Sequence, residues 1–156
     1  MEFVFIGDGY LRPSIEQKVN ECGIQNYCTF LGNRSDVHEL LQTLDVFVLS
    51  SLWEGLPISL LEAQYFGIAC VVTQVGGNPE VVRNGYNGLL VPPRDPDALA
   101  HAILRVIQDD TLTNELSIHG QEMFREKFSI DKMVDSYLEL IYGVLQEKYQ
   151  GYRNNV

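Results

Sequence analysis

A chain of 156 residues is the size of one domain and long enough to bury a sizeable core. Its apolar content of 46% argues for a folded globule rather than a disordered tail. Its formal net charge of −10 disfavours nonspecific binding to nucleic acid or to an anionic membrane, yet leaves room for a phosphorylated small ligand held by backbone amides.

Phe3 to Ile6 reads as an apolar strand closed by Gly7-Asp8-Gly9. A helix follows, with Pro13 near its start and Ile15, Val19 and Cys22 at helical spacing. Gly7-x-Gly9-x-x-Arg12 resembles a dinucleotide fingerprint only superficially, because the third glycine is absent; a tight strand-to-helix turn accounts for it. Tyr27 to Leu31 is a second strand, ended by Gly32, and Ser35 or Asp36 can cap a helix carrying Val37, Leu40, Leu41 and Leu44.

Val46 to Leu49 has the length and β-branched content of a buried strand. The polar loop Ser50 to Gly55 leads to Pro57, at the first turn of a helix that runs to about Phe66 and stops at Gly67. Glu54 lies in the loop and Glu62 within the helix. Residues about 100° apart place Glu62 with Ile58, Leu61 and Tyr65 on an apolar arc, where a carboxylate is costly unless paired. The partner is either an Arg or Lys or a ligand hydroxyl pair.

Ile68 to Thr73 is another buried strand, Val75-Gly76-Gly77 a loop and Asn78-Pro79-Glu80 a helix start. Asn84-Gly85 and Asn87-Gly88 are turns before a last strand, Leu89 to Val91. Asp95-Pro96 opens a helix bearing Leu99, Ile103, Val106 and Ile107; residues 111–127 form the next, and Ser129 or Asp131 starts a final one. Residues 1–150 are read as one domain and residues 151–156 as a frayed tail.

The cysteines Cys22, Cys28 and Cys70 are widely spaced, in apolar surroundings and without metal spacing, which predicts reduced core thiols in a cytoplasmic protein. No apolar run approaches the roughly 18 residues of a membrane span, and Met1 leads into a strand rather than a signal peptide.

Strands that are continuous apolar runs, alternating with helices, specify an α/β fold: a Rossmann-like parallel sheet with helices on both faces. Ligands bind such sheets beyond the carboxyl ends of the strands, where Glu54, Gly76, Gly77 and the helix start at Pro57 are expected to converge. Free N–H groups at Leu56-Pro57-Ile58 suit a diphosphate, and a carboxylate suits a pair of sugar or ribose hydroxyls.

The strings Glu54-Gly-Leu-Pro-Ile-Ser-Leu-Leu-Glu62-Ala, Gly67-Ile-Ala-Cys-Val-Val-Thr73, Gly76-Gly77-x-x-Glu80 and Asn87-Gly88-Leu-Leu-Val91 closely resemble the donor-binding, carboxyl-terminal half of the retaining GT-B glycosyltransferases of group 1. Val4-Phe-Ile-Gly-Asp-Gly9, Phe30-Leu-Gly32 and Asp95-Pro-x-Ala-Leu99 match in the same order, so the likeness covers nearly the whole chain. It implies that Glu54 and Glu62 form the family's Glu-x7-Glu motif. Glu54 is then the catalytic-site residue that contacts the donor sugar, and Glu62 holds the nucleotide ribose. Gly55, Leu56, Pro57 and Ile58 would bind the diphosphate, and Gly32, Asn33 and Arg34 would lie against the base. Gly76 and Gly77 would pack under the donor, Glu80 would be a helix-start residue, and Trp53 would either shield the sugar or take a core or rim position. His38, His101 and His119 match no catalytic histidine of the family. No metal is expected, since nothing resembles a metal-binding Asp-x-Asp cluster.

Two departures from the family pattern stand out. The family's first donor-domain strand and helix, with an Arg and a Lys for the phosphates, and its amino-terminal acceptor domain have no counterpart in these residues. By analogy the missing strand is central. Either the strands flanking the gap pair directly, or another chain or copy supplies the strand, or the chain is a fragment. The chain alone is expected to be inactive in transfer and weak in donor binding. Self-association through the sheet gap or the final helix is expected, as is a place at the inner face of a membrane in a full polysaccharide-building enzyme. The alternatives are a non-catalytic donor-binding subunit that needs an acceptor-domain partner, and a sugar-nucleotide epimerase, against which the Glu-x7-Glu spacing argues.

Overall fold

The computed structural model describes residues 1–153, with side chains described for residues 1–146. The chain divides into two compact units, Met1–Leu40 and a second beginning at Leu41.

In the first unit, β1 (Phe3–Ile6), α1 (Arg12–Glu21) and β2 (Cys28–Gly32) make one strand–helix–strand crossover. The strands pair in parallel, with Phe5 opposite Phe30. Those two rings stack with centroids 4.5 Å apart and planes 8° from parallel, which fixes the register by a side-chain pair. The register slips after Phe5, so that Ile6 faces Gly32. The Gly7-Asp8-Gly9 turn is stitched by local charge: Gly9 N donates to Asp8 Oδ1 at 2.7 Å, and Arg12 reaches Asp8 Oδ2 at 3.1 Å and Glu16 Oε1 at 2.8 Å. Tyr27 belongs to a single 3-10 turn, Gln25–Tyr27, rather than to the strand predicted to begin there. Helix α2 (Val37–Leu41) ends before Leu44 and is shorter than predicted.

The second unit carries β3 (Val46–Leu49), α3 (Ile58–Tyr65), β4 (Ala69–Thr73), α4 (Asn78–Val81), β5 (Leu89–Val91), α5 (Pro96–Gln108), α6 (Asp110–Lys127) and α7 (Ile130–Arg153). Its sheet has the order β3-β4-β5, all parallel. The parallel strands described therefore form two sheets, β1-β2 in the first unit and β3-β4-β5 in the second, rather than the one sheet expected.

Strand β4 is the centre of this unit, and all five of its residues are buried. Side chains alternate across a strand. Ala69 and Val71 join Leu89, Val91, Val106 and Leu116 in one core, with Leu99, Ile103 and Leu112 packed against it. Cys70 and Val72 point the other way and are equally buried, so both faces of the strand are covered. Each fully buried valine contributes on the order of 1.5–3 kcal/mol. Helix α5 starts as predicted: Asp95 Oδ1 accepts from Ala98 N at 2.9 Å, with Pro96 in the first turn.

The expectation of three core thiols needs correction. Cys70 is fully buried, but Cys28 is half-buried and Cys22 exposed, because Cys22 caps the solvent-facing end of α1. Along α7 the apolar side chains are largely exposed, among them Tyr137, Leu140, Ile141 and Tyr142. The helix continues to Arg153, and the rest of the tail predicted for residues 151–156 lies outside the described residues. Among those described, no helix is long and apolar enough to cross a membrane.

Candidate functional site

The loop between β3 and α3 is short, polar and held at both ends. Thr73, at the carboxyl end of β4, donates from Oγ1 to the Ser51 carbonyl at 2.6 Å, with the Leu49 carbonyl also 3.4 Å away. Ser51 Oγ in turn donates to Glu54 Oε1 at 2.6 Å. The carbonyl of Thr73 accepts from Asn78 Nδ2 at 2.7 Å, and Asn78 is completely buried. A series of hydrogen bonds therefore runs from the start of α4, through the end of β4, to a half-buried carboxylate.

Two glycines bring a second loop against this one. Gly76 has φ +47, and a Cβ there would collide with the Glu54 carbonyl; a Cβ on Gly77 would collide with the carbonyl of Gly55. Only backbone fits at such a separation. Gly77 N donates to the Glu54 carbonyl at 3.3 Å. Gly76 and Gly77 thus lie directly against the Glu54–Gly55 segment, at the carboxyl ends of β3 and β4.

Helix α3 begins beside this junction. Pro57 is its N-cap, extended at ψ 99, and no side chain caps the helix. Its first-turn N–H groups lack intrahelical acceptors, and the positive end of its dipole adds to them. Gly55, Leu56 and Ile58 are exposed around the buried Pro57. The arrangement offers a fixed carboxylate acceptor next to a set of backbone donors, which suits a ligand carrying hydroxyls and an anionic group.

Glu62 lies in the second turn of α3 and is half-buried. Of the arc predicted around it only Leu61 is buried. Ile58 and Tyr65 are 60% and 55% exposed, and the buried face of the helix is made by Leu60, Leu61, Ala63 and Gln64. Glu62 therefore sits at the margin of the core, where a carboxylate costs less than the sequence reading implied. Trp53 is 83% exposed, which excludes the core position.

Gly32, Asn33 and Arg34 belong to the first unit. Gly32 closes β2 at φ +65 and is buried, while Asn33 and Arg34 are exposed. The Arg34 guanidinium is already committed: Nε donates to Asp36 Oδ1 at 2.8 Å and Nη2 to Oδ2 at 2.6 Å. This fork holds the Asp36 carboxyl below the usual carboxylate range. A cleft of about 300 Å³ also opens in this unit, lined by Phe5, Asp8, Arg12, Ile15 and Phe30 among others.

Ser51, Thr73 and Asn78 are the residues that sequence reasoning missed. Their only signal was position: a Ser three residues before Glu54, a Thr closing an otherwise apolar strand, and an Asn where a helix cap was expected. The His119 ring stacks on Tyr86 with centroids 4.1 Å apart, and its Nδ1 lies 3.0 Å from the Tyr86 carbonyl. Glu80 sits in the first turn of α4. The chain does contain one Asp-x-Asp string, Asp95-Pro96-Asp97, but its first carboxylate is used in capping α5. Among the described residues no group of three His, Cys, Asp or Glu side chains is gathered so as to hold a metal ion.

Residues 1–123 match the family model described as "Glycosyl transferases group 1". Over 147 residues the chain is 35% identical to a UDP-Gal:alpha-D-GlcNAc-diphosphoundecaprenol alpha-1,3-galactosyltransferase of Escherichia coli, covering 94% of this chain and 38% of that protein. It is 32% identical over 150 residues to the N-acetyl-alpha-D-glucosaminyl L-malate synthase of Bacillus anthracis, covering 96% and 39%. Among solved structures, Anabaena HepE in complex with UDP-glucose superposes with a TM-score of 0.84 at 25% identity, over 91% of this chain and 41% of that one. The C-terminal domain of a group 1 glycosyl transferase, LpcC of Francisella tularensis, superposes with a TM-score of 0.70 at 28% identity, over 77% and 63%. The chain thus spans about two fifths of the length of these curated relatives.

Proposed function

Because the chain belongs to the group 1 glycosyl transferases and corresponds to their carboxyl-terminal, donor-binding domain, we propose that it binds a UDP-sugar at the junction of the Glu54 loop, the Gly76-Gly77 loop and the start of α3. The observation that carries this reading is the held Glu54 carboxylate beside an uncapped helix N-terminus. Glu54 takes the sugar hydroxyls, the backbone from Gly55 to Ile58 takes the diphosphate, and Glu62 takes the ribose. Gly76 and Gly77 keep the floor of the site free of side chains. UDP is the nucleotide preferred here because the E. coli relative is named for UDP-Gal and the HepE structure holds UDP-glucose.

In the reaction the sugar leaves the nucleoside diphosphate for a glycan or lipid hydroxyl with its anomeric configuration kept. Negative charge grows on the leaving phosphate as the glycosidic bond breaks. Backbone amides and a helix dipole aimed at that phosphate stabilise the transition state more than the ground state. The acceptor surface is assigned to protein outside these 156 residues, so the chain alone binds donor without transferring sugar.

Calorimetry with UDP, ADP and GDP tests the reading. UDP should bind more tightly than the purine nucleotides, and Glu62→Ala should weaken UDP by about tenfold, the loss of a charge-assisted hydrogen bond to ribose. Equal affinity of Glu62→Ala and the parent for UDP would remove Glu62 from the ribose. Failure of every nucleotide and its sugars to bind would overturn the assignment of the site.

A further inference from the structure

The geometry points to Ser51 as a positioning residue for the sugar-contacting carboxylate, an inference that rests on the donor-site reading above and adds a residue to it. A glutamate in a loop has three side-chain torsions to fix, and fixing them when a ligand arrives opposes binding. Here the fixing is done in advance. Ser51 Oγ donates to Glu54 Oε1 at 2.6 Å, a short hydrogen bond of the charge-assisted kind. Oε2 receives no hydrogen bond among the described residues and is left to accept from a ligand.

A donor is useful for positioning only if it is itself held. The Ser51 carbonyl accepts from Thr73 Oγ1 at 2.6 Å. Thr73 is 3% exposed, and its own carbonyl is tied to the completely buried Asn78 side chain at 2.7 Å. The backbone of Glu54 is fixed separately, by Gly77 N on its carbonyl at 3.3 Å and by the close seat of Gly76. Backbone and carboxylate are therefore pinned by two independent sets of contacts, and Ser51 carries the second. Its hydroxyl bonds to no other described group, so holding Glu54 is the role it performs.

The test is the difference between UDP and UDP-sugar binding by this chain, measured by calorimetry for the parent, Ser51→Ala, Ser51→Thr, Glu54→Gln and the Ser51→Ala/Glu54→Gln pair. UDP-glucose and UDP-galactose are the probes, and the tighter of the two is used. Ser51→Ala should raise the Kd for the UDP-sugar by about tenfold while leaving UDP within about twofold. Ser51→Thr, which keeps the hydroxyl, should restore the parent value. In the Glu54→Gln background, Ser51→Ala should cost much less than in the parent, because the group it orients has changed. If Glu54→Gln weakens the UDP-sugar and Ser51→Ala does not, the positioning role is overturned and the donor site stands. Equal weakening of UDP and UDP-sugar by Ser51→Ala, unrescued by threonine, would make Ser51 a general structural residue and also overturn it. A parent that binds UDP but gains nothing from the sugar removes Glu54 from the sugar, and this inference with it.

Discussion

The α-carbon of Gly76 lies so close to the carbonyl oxygen of Glu54 that a Cβ could not be accommodated between them. Gly76 is also in the left-handed region, at φ +47. Alanine there meets two penalties, the collision and the conformation, and neither can be relieved by a flexible side chain. Gly76→Ala should destabilise the fold by about 2–4 kcal/mol in urea unfolding. Gly77→Ala meets only the collision, with the Gly55 carbonyl, and should cost less. An unfolding midpoint for Gly76→Ala equal to that of the parent would show that the two loops do not touch as described.

Asn84 and Asn87 flank one turn but should respond differently to replacement. Asn87 is 1% exposed; its Nδ2 donates to the Val81 carbonyl at 2.9 Å and its Oδ1 accepts from Arg83 N at 2.7 Å. Asn87→Ala leaves both backbone groups without that partner and should cost about 2–4 kcal/mol. Asn84 accepts from Leu90 N at 2.9 Å in an exposed position, where water can replace it. Asn84→Ala should cost about 1 kcal/mol or less. Thermal unfolding of the two variants side by side checks the contrast.

Asp36 should titrate below the usual carboxylate range because the Arg34 fork donates to both of its oxygens. A carboxyl whose folded value is depressed adds stability above its unfolded pKa, and that stability is lost as the pH falls through the folded value. The contribution should therefore be present at neutral pH and fade under acid conditions. Both groups are solvent-exposed, so the effect should shrink in high salt. Carbon-detected NMR titration of the Asp36 carboxyl should show its midpoint rising in Arg34→Ala.

The cysteines should separate by reactivity. Cys70 is fully buried, and burial pushes its thiol well above the ordinary range. Cys22 is exposed. An aromatic disulfide reagent should label Cys22 in the folded protein and Cys70 only after unfolding, with Cys28 between them. Peptide mapping after a timed pulse reads this directly, and prompt labelling of Cys70 in the native protein would contradict its place in the core.

Much of the fold was legible because local and global signals agree in this chain. Asp95-Pro96 announces a helix, and the helix begins there with the carboxylate in its cap. Ala69 to Thr73 is uninterruptedly apolar until its last residue, and it is the strand buried on both faces. What failed were inferences about environment. A helical wheel groups Glu62 with Ile58, Leu61 and Tyr65, but it cannot say which side of the helix other elements will cover. The covered side proved to be that of Leu60, Ala63 and Gln64, and of the wheel's apolar group it takes in Leu61 alone. Cys22 has the spacing of a core residue on α1 but falls at the helix end, where little packs over it. The support behind Glu54 was illegible for a related reason: Thr73 and Asn78 come near Ser51 only through strand pairing and loop packing, which no local pattern encodes.

Strand β4 is flanked by β3 and β5 and covered on both faces, and Thr73, its last residue, holds the loop of the candidate carboxylate. In many proteins the ligand-contacting loops are the parts that open most easily. Here the anchoring hydroxyl belongs to the strand with the least access to solvent. Its amide protons, in hydrogen–deuterium exchange, should be among the slowest in the molecule. Heating or denaturant should accordingly leave the carboxylate in place until the whole second unit gives way, so that loss of binding and loss of structure follow a single curve.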